Sequence, residues 1–161
     1  MRRTAAALAS LVLAGAAALA SPGTASADDD LPGPTITAPI VGVRDLCLAI
    51  RSTSPTEYRP VQVWDCDGSA AQYWRKGVNG TLQALGKCLD VWHGGTRPGT
   101  PVGVYECNGT GSQQWQYTDS ARFYNPQSGL CLNVPLEGTA GVDLNIWNCY
   151  LYAPQRWRFA I

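Results

Sequence analysis

The sequence has few ionisable and metal-binding side chains. It contains one histidine, and its six cysteines include no Cys-x-x-Cys pair, so the ligand spacing of a zinc site is absent. Charged residues make up only 15% of the chain, with 12 basic and 12 acidic side chains. Nucleic acids and anionic membranes select basic surfaces, so neither class of partner is indicated. We expect no metal and no cofactor.

The residues that catalysis would need are also sparse. A nucleophilic mechanism needs a serine or cysteine beside a base such as histidine, and the only histidine, His93, has no plausible partner. Glycoside hydrolysis needs two carboxylates facing one cleft, whereas the acidic residues here are scattered along the chain. The sequence therefore predicts a protein that is not an enzyme and has no catalytic residue.

Long apolar runs are confined to the N-terminus. Residues 1–27 begin with two arginines after Met1, continue as an alanine- and leucine-rich stretch, and end in Ala-Ser-Ala. This pattern is typical of a secretory signal peptide, and the run is short for a membrane anchor. No later segment is apolar enough to cross a bilayer. We expect a secreted, extracellular protein with an N-terminal tail at residues 28–39.

One sequence unit occurs three times after the tail. Each unit begins with Cys-Leu, at residues 47, 88 and 131, continues to a second cysteine, and ends in Gln-x-Trp. The motif tryptophans Trp74, Trp115 and Trp157 are 41 and 42 residues apart, and the second cysteine always precedes the motif glutamine by six residues. The repeats occupy about residues 40–80, 81–124 and 125–161.

The repeat also predicts how the cysteines pair. An even number of cysteines in an exported chain indicates disulfides. Because equivalent units should form equivalent bonds, the predicted pairs are Cys47–Cys66, Cys88–Cys107 and Cys131–Cys149. Each bond closes a loop of about 20 residues, which in the chain-entropy model stabilises the fold by about 3 kcal/mol.

The units predict short strands separated by turns. Residues 61–64, 102–105 and 144–147 alternate apolar and variable side chains with a period of two. The inward-facing side chains should be Val61, Val63, Val102, Val104, Leu144 and Ile146. No helix of ten residues or more is indicated after residue 27. Three units are too few for a propeller and lack the atypical end caps of a solenoid, which favours a closed barrel with approximate threefold symmetry.

The three Gln-x-Trp motifs in register, together with CLAI (47–50), CLDV (88–91) and CLNV (131–134), resemble the ricin B-type lectin domain and the related family 13 carbohydrate-binding modules. The resemblance covers about residues 40–161. It implies an all-β β-trefoil with six strands closing a barrel and six capping it. It also implies up to three shallow sites, one per repeat, for sugars or polysaccharide. We expect a monomer.

A sugar site needs an aromatic ring for C–H patches and a carboxylate or amide for hydroxyl groups. In the family the acid lies two residues after the first cysteine, the aromatic residue two before the second, and an amide four before it. An asparagine often precedes the motif glutamine. The middle repeat matches with Asp90, Tyr105 and Gln113, but it has Gly103 at the amide position and Ser112 before the glutamine.

The other repeats match less well. The third repeat has Asn133, Asn145 and Trp147, and the first has Ala49 in place of the acid. Hydrogen bonds to charged groups are worth about 1.5–3 kcal/mol, against about 0.5–1.5 for neutral ones. We therefore predict that the middle site is the strongest, the third weaker and the first silent. His93 and Asn108, close to Asp90 and Tyr105 in sequence, are further candidates, as is Trp92.

Each assignment has a structural alternative. Asp90 would also suit a turn after a strand, and the motif tryptophans are expected in the core because of their size and triplication. The motif glutamines should bond backbone near the core. The leading hypothesis is a secreted, non-catalytic lectin for galactose- or xylose-type sugars. The alternative is a protein-binding trefoil resembling a protease inhibitor, in which the sugar sites have decayed.

Overall fold

The computed structural model describes residues 36–51, 57–77, 79–136 and 138–161. Within these ranges twelve β-strands form three groups of four. They are β1 (Thr37–Val41), β2 (Cys47–Ile50), β3 (Arg59–Trp64), β4 (Tyr73–Lys76), β5 (Leu82–Ala84), β6 (Lys87–Val91), β7 (Val102–Tyr105), β8 (Gln116–Tyr117), β9 (Phe123–Asn125), β10 (Leu130–Asn133), β11 (Asn145–Trp147) and β12 (Arg158–Phe159). The predicted signal peptide at 1–27 lies outside the described residues.

Helical structure in these ranges consists of 3-10 turns of three residues each. They lie at 43–45, 70–72, 92–94, 111–113 and 153–155. For the described part of the chain, this confirms the prediction that no long helix follows residue 27. None of the helical pieces found in that part is long and apolar enough to cross a membrane.

Strands β1, β4, β5, β8, β9 and β12 close the barrel. Antiparallel pairing joins β12 to β1, β1 to β4, β4 to β5 and β8 to β9. Two backbone hydrogen bonds extend this ring: the amide of Trp115 donates to the carbonyl of Gly80, and the amide of Trp157 donates to that of Ala121, each at 2.8 Å. Equivalent tryptophans therefore hold equivalent seams of the barrel.

The other six strands form three hairpins, β2–β3, β6–β7 and β10–β11, that cap the barrel. The hairpins contact one another in a cycle. Pro60 of β3 pairs with Gly103 of β7, and isolated bridges join Pro101 to Asn145 and Gln62 to Asp143. Six barrel strands and six cap strands in three units make the β-trefoil that the sequence predicted.

The alternating pattern of the hairpins sets which side chains face the core. Each of the six residues predicted to point inward is almost completely buried, which confirms that prediction. These residues are Val61, Val63, Val102, Val104, Leu144 and Ile146. The motif tryptophans Trp74, Trp115 and Trp157 lie in the same hydrophobic cluster and are 0%, 2% and 1% exposed.

Each motif tryptophan also binds the cap hairpin of its own repeat. Its indole nitrogen donates to the carbonyl oxygen of the leucine that follows the first cysteine. The three bonds are Trp74 to Leu48 at 2.8 Å, Trp115 to Leu89 at 3.0 Å and Trp157 to Leu132 at 3.3 Å. The polar edge of a large buried ring is thus satisfied, and barrel and cap are held in one register three times.

The motif glutamines form a second repeated set of bonds. Each amide nitrogen donates to the backbone carbonyl of the residue just before the second cysteine, and each amide oxygen accepts from the backbone amide of the residue just after it. The glutamines are Gln72, Gln113 and Gln155, and the distances are 2.7–3.0 Å. Backbone bonding by these side chains is as the sequence predicted.

The disulfides join Cys47 to Cys66, Cys88 to Cys107 and Cys131 to Cys149. This confirms the predicted pairing. In each repeat the bond joins the start of the first hairpin strand to the segment that follows the second hairpin strand. The two Cα atoms are 5.0–5.1 Å apart. The described residues contain no free cysteine.

Residues 37–39, which the sequence assigned to an N-terminal tail at 28–39, belong to a strand. Strand β1 already begins at Thr37, and its residues 37–39 pair with 73–75 of β4. Pro39 concealed this strand in the sequence, because proline cannot donate to a sheet and normally argues against a strand. Similarly, β9 begins at Phe123, two residues before the predicted start of the third repeat.

The buried indole bond makes a testable prediction about stability. Replacing Trp74 by Phe removes ring volume and the hydrogen bond to Leu48, so we expect a loss of about 2–3 kcal/mol in the free energy of unfolding. Trp64 is 42% exposed, so Trp64→Phe should change this energy by no more than about 0.5 kcal/mol. Urea unfolding followed by circular dichroism measures both, and equal effects would contradict the proposed role of the indole.

Candidate functional site

The middle hairpin places Asp90 and Tyr105 on the same face. In the pairing of β6 with β7, Asp90 lies opposite Gly103, and Cys88 lies opposite Tyr105. Residues two apart on a strand share a face, so Asp90 and Tyr105 are diagonal neighbours, a separation that long and aromatic side chains can bridge. The opposite face carries the buried valines of the core.

Both side chains line one cavity of about 830 Å³. Of the five site residues predicted for the middle repeat, the cavity brings together four, Asp90, Tyr105, His93 and Asn108, but not Gln113. Trp92, also a candidate, lines it too. The remaining lining residues are Glu57, Tyr58, Gly94, Thr110, Ser112 and Gln127.

Asp90 is the buried carboxylate of this cavity, with 6% of its surface exposed. The hydroxyl of Ser112 donates to its Oδ2 at 3.1 Å. Burial raises the pKa of Asp90, while hydrogen bonds from Gln113 and Ser112 and the nearby His93 act in the opposite direction. Ser112 therefore takes a supporting role next to the acid, although it stands where the family often has asparagine.

A chain of polar contacts runs from Asp90 through Ser112 and Thr110 to Asn108. Oγ of Ser112 lies 2.8 Å from Oγ1 of Thr110, and the Thr110 hydroxyl also lies 2.7 Å from Oδ1 of Asn108. The turn at 111–113 positions these groups because Gln113 bonds the backbone on both sides of Cys107. Hydroxyl and amide groups thus continue the polar edge that begins at the carboxylate.

Gln113 itself does not line the cavity. It is completely buried, and its amide bonds the carbonyl of Glu106 and the amide of Asn108 at 2.8 and 2.9 Å. Its influence on a bound molecule is therefore indirect, through the position and ionisation of Asp90.

A second cavity, of about 440 Å³, lies in the third repeat. All three side chains predicted there, Asn133, Asn145 and Trp147, line it, together with Tyr152 and Pro154 among others. The amide nitrogen of Asn133 donates to Asn145 at 2.9 Å. The amide oxygen of Asn133 accepts from Gln155 at 3.2 Å and from Tyr152 at 3.4 Å. Neighbouring side chains already use both ends of this amide.

A third cavity, of about 550 Å³, lies in the first repeat, where Ala49 replaces the acid. Two of its polar side chains, Arg51 and Gln62, already have hydrogen-bond or ion-pair partners. Arg51 donates to Gln62 at 3.3 Å and forms an ion pair with Asp143 of the third repeat at 2.7 Å. These contacts occupy two of the polar side chains that line the cavity.

The sequence did not indicate Glu57, Tyr58, Thr110 or Gln127 as site residues. Glu57 and Tyr58 precede β3 of the first repeat, so no comparison of equivalent positions within the middle repeat would find them. Thr110 and Gln127 lie in turns with no family position attached to them. No group of three or more His, Cys, Asp or Glu side chains that could hold a metal ion occurs among residues 36–51, 57–77, 79–136 and 138–161.

Comparison with known families agrees with this geometry. A profile described as the ricin-type beta-trefoil lectin domain matches residues 37–157. The chain belongs to this family. The match spans the first eleven strands and ends at residue 157, just before β12, so the ricin-type lectin domain and the trefoil described above are the same unit.

Individual relatives share the domain. Serine protease 1 of Rarobacter faecitabidus is 38% identical over 75% of this chain and 23% of its own length. A glucan endo-1,3-beta-glucosidase of Cellulosimicrobium cellulans is 48% identical over 55% of this chain and 16% of its own length. This chain therefore spans less than a quarter of either relative.

Among solved structures, a non-toxic homologue of type II RIPs from Momordica charantia, in complex with α-methyl-D-galactoside, superposes with a TM-score of 0.71. It is 25% identical and matches over 78% of this chain and 48% of its own. The trefoil of this lectin domain is therefore shared with a structure that holds a sugar derivative.

The raised pKa of Asp90 predicts how stability depends on pH. Its pKa in the folded protein lies above the ordinary value of 3.8, so ionisation of Asp90 is less favourable in the folded protein than in the unfolded one. Wild type therefore loses part of its stability as the pH rises from 3.8 through the folded pKa. The Asp90→Asn variant cannot ionise at this position and keeps that part of its stability. We expect the variant to have the higher urea midpoint at pH 7, with a difference that disappears below about pH 3.8.

Urea midpoints of both proteins between pH 3 and 8 measure the effect. Asp119, an exposed acid outside the cavities, provides Asp119→Asn as the control for loss of a surface carboxylate. If Asp90→Asn were the less stable protein at pH 7, the carboxylate would be stabilised by its partners, and the inferred direction of the pKa would be wrong.

Proposed function

We propose that this domain is a secreted lectin without catalysis of its own, and that it binds galactose- or xylose-type sugars chiefly in the cavity of the middle repeat. The observation that carries the proposal is that a buried carboxylate, Asp90, and an aromatic side chain, Tyr105, line one cavity. Membership of the ricin-type lectin family supports carbohydrate as the ligand class.

The chemistry of the cavity suits a sugar ring. The Asp90 carboxylate can accept hydrogen bonds from two adjacent hydroxyl groups, and charge-assisted bonds are the stronger kind. The ring of Tyr105 offers a flat apolar surface to a C–H patch. Asn108 and His93 add groups that can donate to or accept from further hydroxyls. Galactose- and xylose-type sugars present both adjacent hydroxyls and such patches.

The third repeat would contribute a weaker site. Trp147 offers an aromatic surface, but Asn133 is neutral, and its amide is already bonded to Asn145, Gln155 and Tyr152. A sugar would have to replace some of these bonds, so its net gain is smaller. Two sites on one domain would still raise the apparent affinity for a multivalent glycan.

The relatives support attachment to carbohydrate as the role of this domain. The Momordica charantia structure contains α-methyl-D-galactoside, which is a galactose-type ligand. The bacterial relatives are named as a protease and a glucanase, and each is several times longer than the segment it shares with this chain. We infer that the domain supplies sugar binding and not the reactions in those names. Secretion is consistent with the three disulfides.

One feature of the cavity differs from the sequence-based expectation about catalysis. Acidic residues were expected to be too scattered to face one cleft, yet Asp90 and Glu57 line the same cavity. A pair of carboxylates is the minimum set for glycoside hydrolysis. We assign them to binding because they lie in a lectin domain, and incubation of the protein with an oligosaccharide should leave that oligosaccharide intact by chromatography.

The proposal predicts a specific loss of binding. On a glycan array, Asp90→Ala should weaken binding by about 10-fold to 100-fold, because a charge-assisted bond is worth about 1.5–3 kcal/mol. Asn133→Ala should weaken it by less than about 10-fold, because its bond is neutral. Asp119→Ala removes an exposed acid outside the cavities and should leave binding unchanged.

Equal signals from wild type and Asp90→Ala would refute the assignment of the site. A wild-type protein that binds no glycan, but captures a protease that free sugar does not elute, would favour the protein-binding trefoil instead.

A further inference from the structure

The middle repeat lacks a side chain where the other two repeats have an amide. Gln62 of the first repeat and Asn145 of the third occupy the position four residues before the second cysteine, and the middle repeat has Gly103 there. A Cβ atom at Gly103 would lie 2.5 Å from Cζ of Tyr58, and it would also collide with the carbonyl oxygen of Arg59. The space of the missing amide is therefore filled by residues of the first repeat.

The pairing between cap hairpins explains this arrangement. The first residues of β3 extend beyond their own hairpin and pair with β7, with Arg59 opposite Val104 and Pro60 opposite Gly103. Tyr58, just before β3, is thereby placed against the middle repeat. Its ring packs on the indole of Trp92 with centroids 4.1 Å apart in an edge-to-face arrangement.

Tyr58 also lies in the electrostatic environment of Asp90. Burial raises the pKa of the Tyr58 phenol, and the negative charges of Asp90 and Asp143 raise it further. The phenol therefore stays protonated at neutral pH, and its oxygen is buried in the protein. A phenol is thus next to the acid where the family pattern has an amide.

Glu57 adds a second carboxylate to the same cavity. The hydroxyl of Tyr105 donates to its Oε2 at 3.4 Å, so Tyr105 connects the hairpin that it shares with Asp90 to the segment that carries Glu57. Glu57 is exposed, and hydroxyl groups of a ligand can reach it. Among the described residues, those lining the cavities of the first and third repeats come from one repeat each, and these cavities measure about 550 and 440 Å³ against about 830 Å³ here.

We propose that Glu57 forms a second subsite, supplied by the first repeat, through which the middle site prefers an oligosaccharide of at least two rings to a monosaccharide. Asp90 and the ring of Tyr105 hold the first ring. The Glu57 carboxylate binds hydroxyl groups of the neighbouring ring, and Tyr58, packed between Gly103 and Trp92, positions the segment that carries Glu57. The inference rests on the proposed function, because it needs a sugar at Asp90.

Calorimetric titration of the mature protein with matched sugars tests the proposal. The pairs are galactose with lactose and xylose with xylobiose. In at least one pair, wild type should bind the disaccharide about 10-fold more tightly than the monosaccharide, which is the value of one charge-assisted bond. Glu57→Ala should bring this ratio to within about twofold of unity.

The controls separate this inference from the proposed function. Glu57→Ala should leave monosaccharide affinity within about twofold of wild type, whereas Asp90→Ala should weaken both ligands of a pair. Glu106 is exposed and does not line these cavities, so Glu106→Ala should leave the ratio unchanged. Glu57 is itself exposed, so its replacement does not threaten folding.

Two results would overturn the second subsite alone. These are a disaccharide preference that survives in Glu57→Ala, and a wild-type protein that binds both members of each pair equally while losing both in Asp90→Ala. A wild-type protein that binds none of the four sugars would overturn the proposed function, and this inference with it.

Discussion

The hydrogen bond from a buried indole to a leucine carbonyl is the interaction on which the rest of this structure depends. It occurs once per repeat, from Trp74, Trp115 and Trp157. A tryptophan in the core both fills the space inside the barrel and, through one polar atom, fixes the height of the hairpin above it. The leucine that accepts the bond directly precedes the residue at the acid position, so core packing determines where Asp90, Asn133 and Ala49 lie.

Much of the fold could be predicted from the sequence because the repeats impose it. Three cysteine pairs and three Gln-x-Trp motifs in register leave few arrangements, and the period of two in the hairpins identifies the core-facing valines. The prediction was less accurate where a single residue opposed the pattern. Pro39 concealed the start of β1, because local propensity is a weak guide to a strand that long-range pairing holds in place.

The candidate site was predictable only in part, and for a related reason. Asp90, Tyr105, His93 and Asn108 are close in sequence or joined by one hairpin, so a reading of the middle repeat could bring them together. Glu57 and Tyr58 reach the cavity across the boundary between repeats. Gly103 was the available signal: an absent side chain in one copy of a repeat can mean that a neighbour occupies its space, and not that a site has decayed.

The disulfides are local, and this has a consequence for how the molecule responds to reduction. Each bond lies within one repeat, and none of the three links one repeat to another. The trefoil as a whole is thus held by non-covalent contacts: the tryptophan core, the barrel seams and the bridges between hairpins. A reductant would loosen the ends of individual hairpins first, next to the cavities, while the threefold interior kept its packing. Ligand capture would therefore fail under milder reducing conditions than global folding.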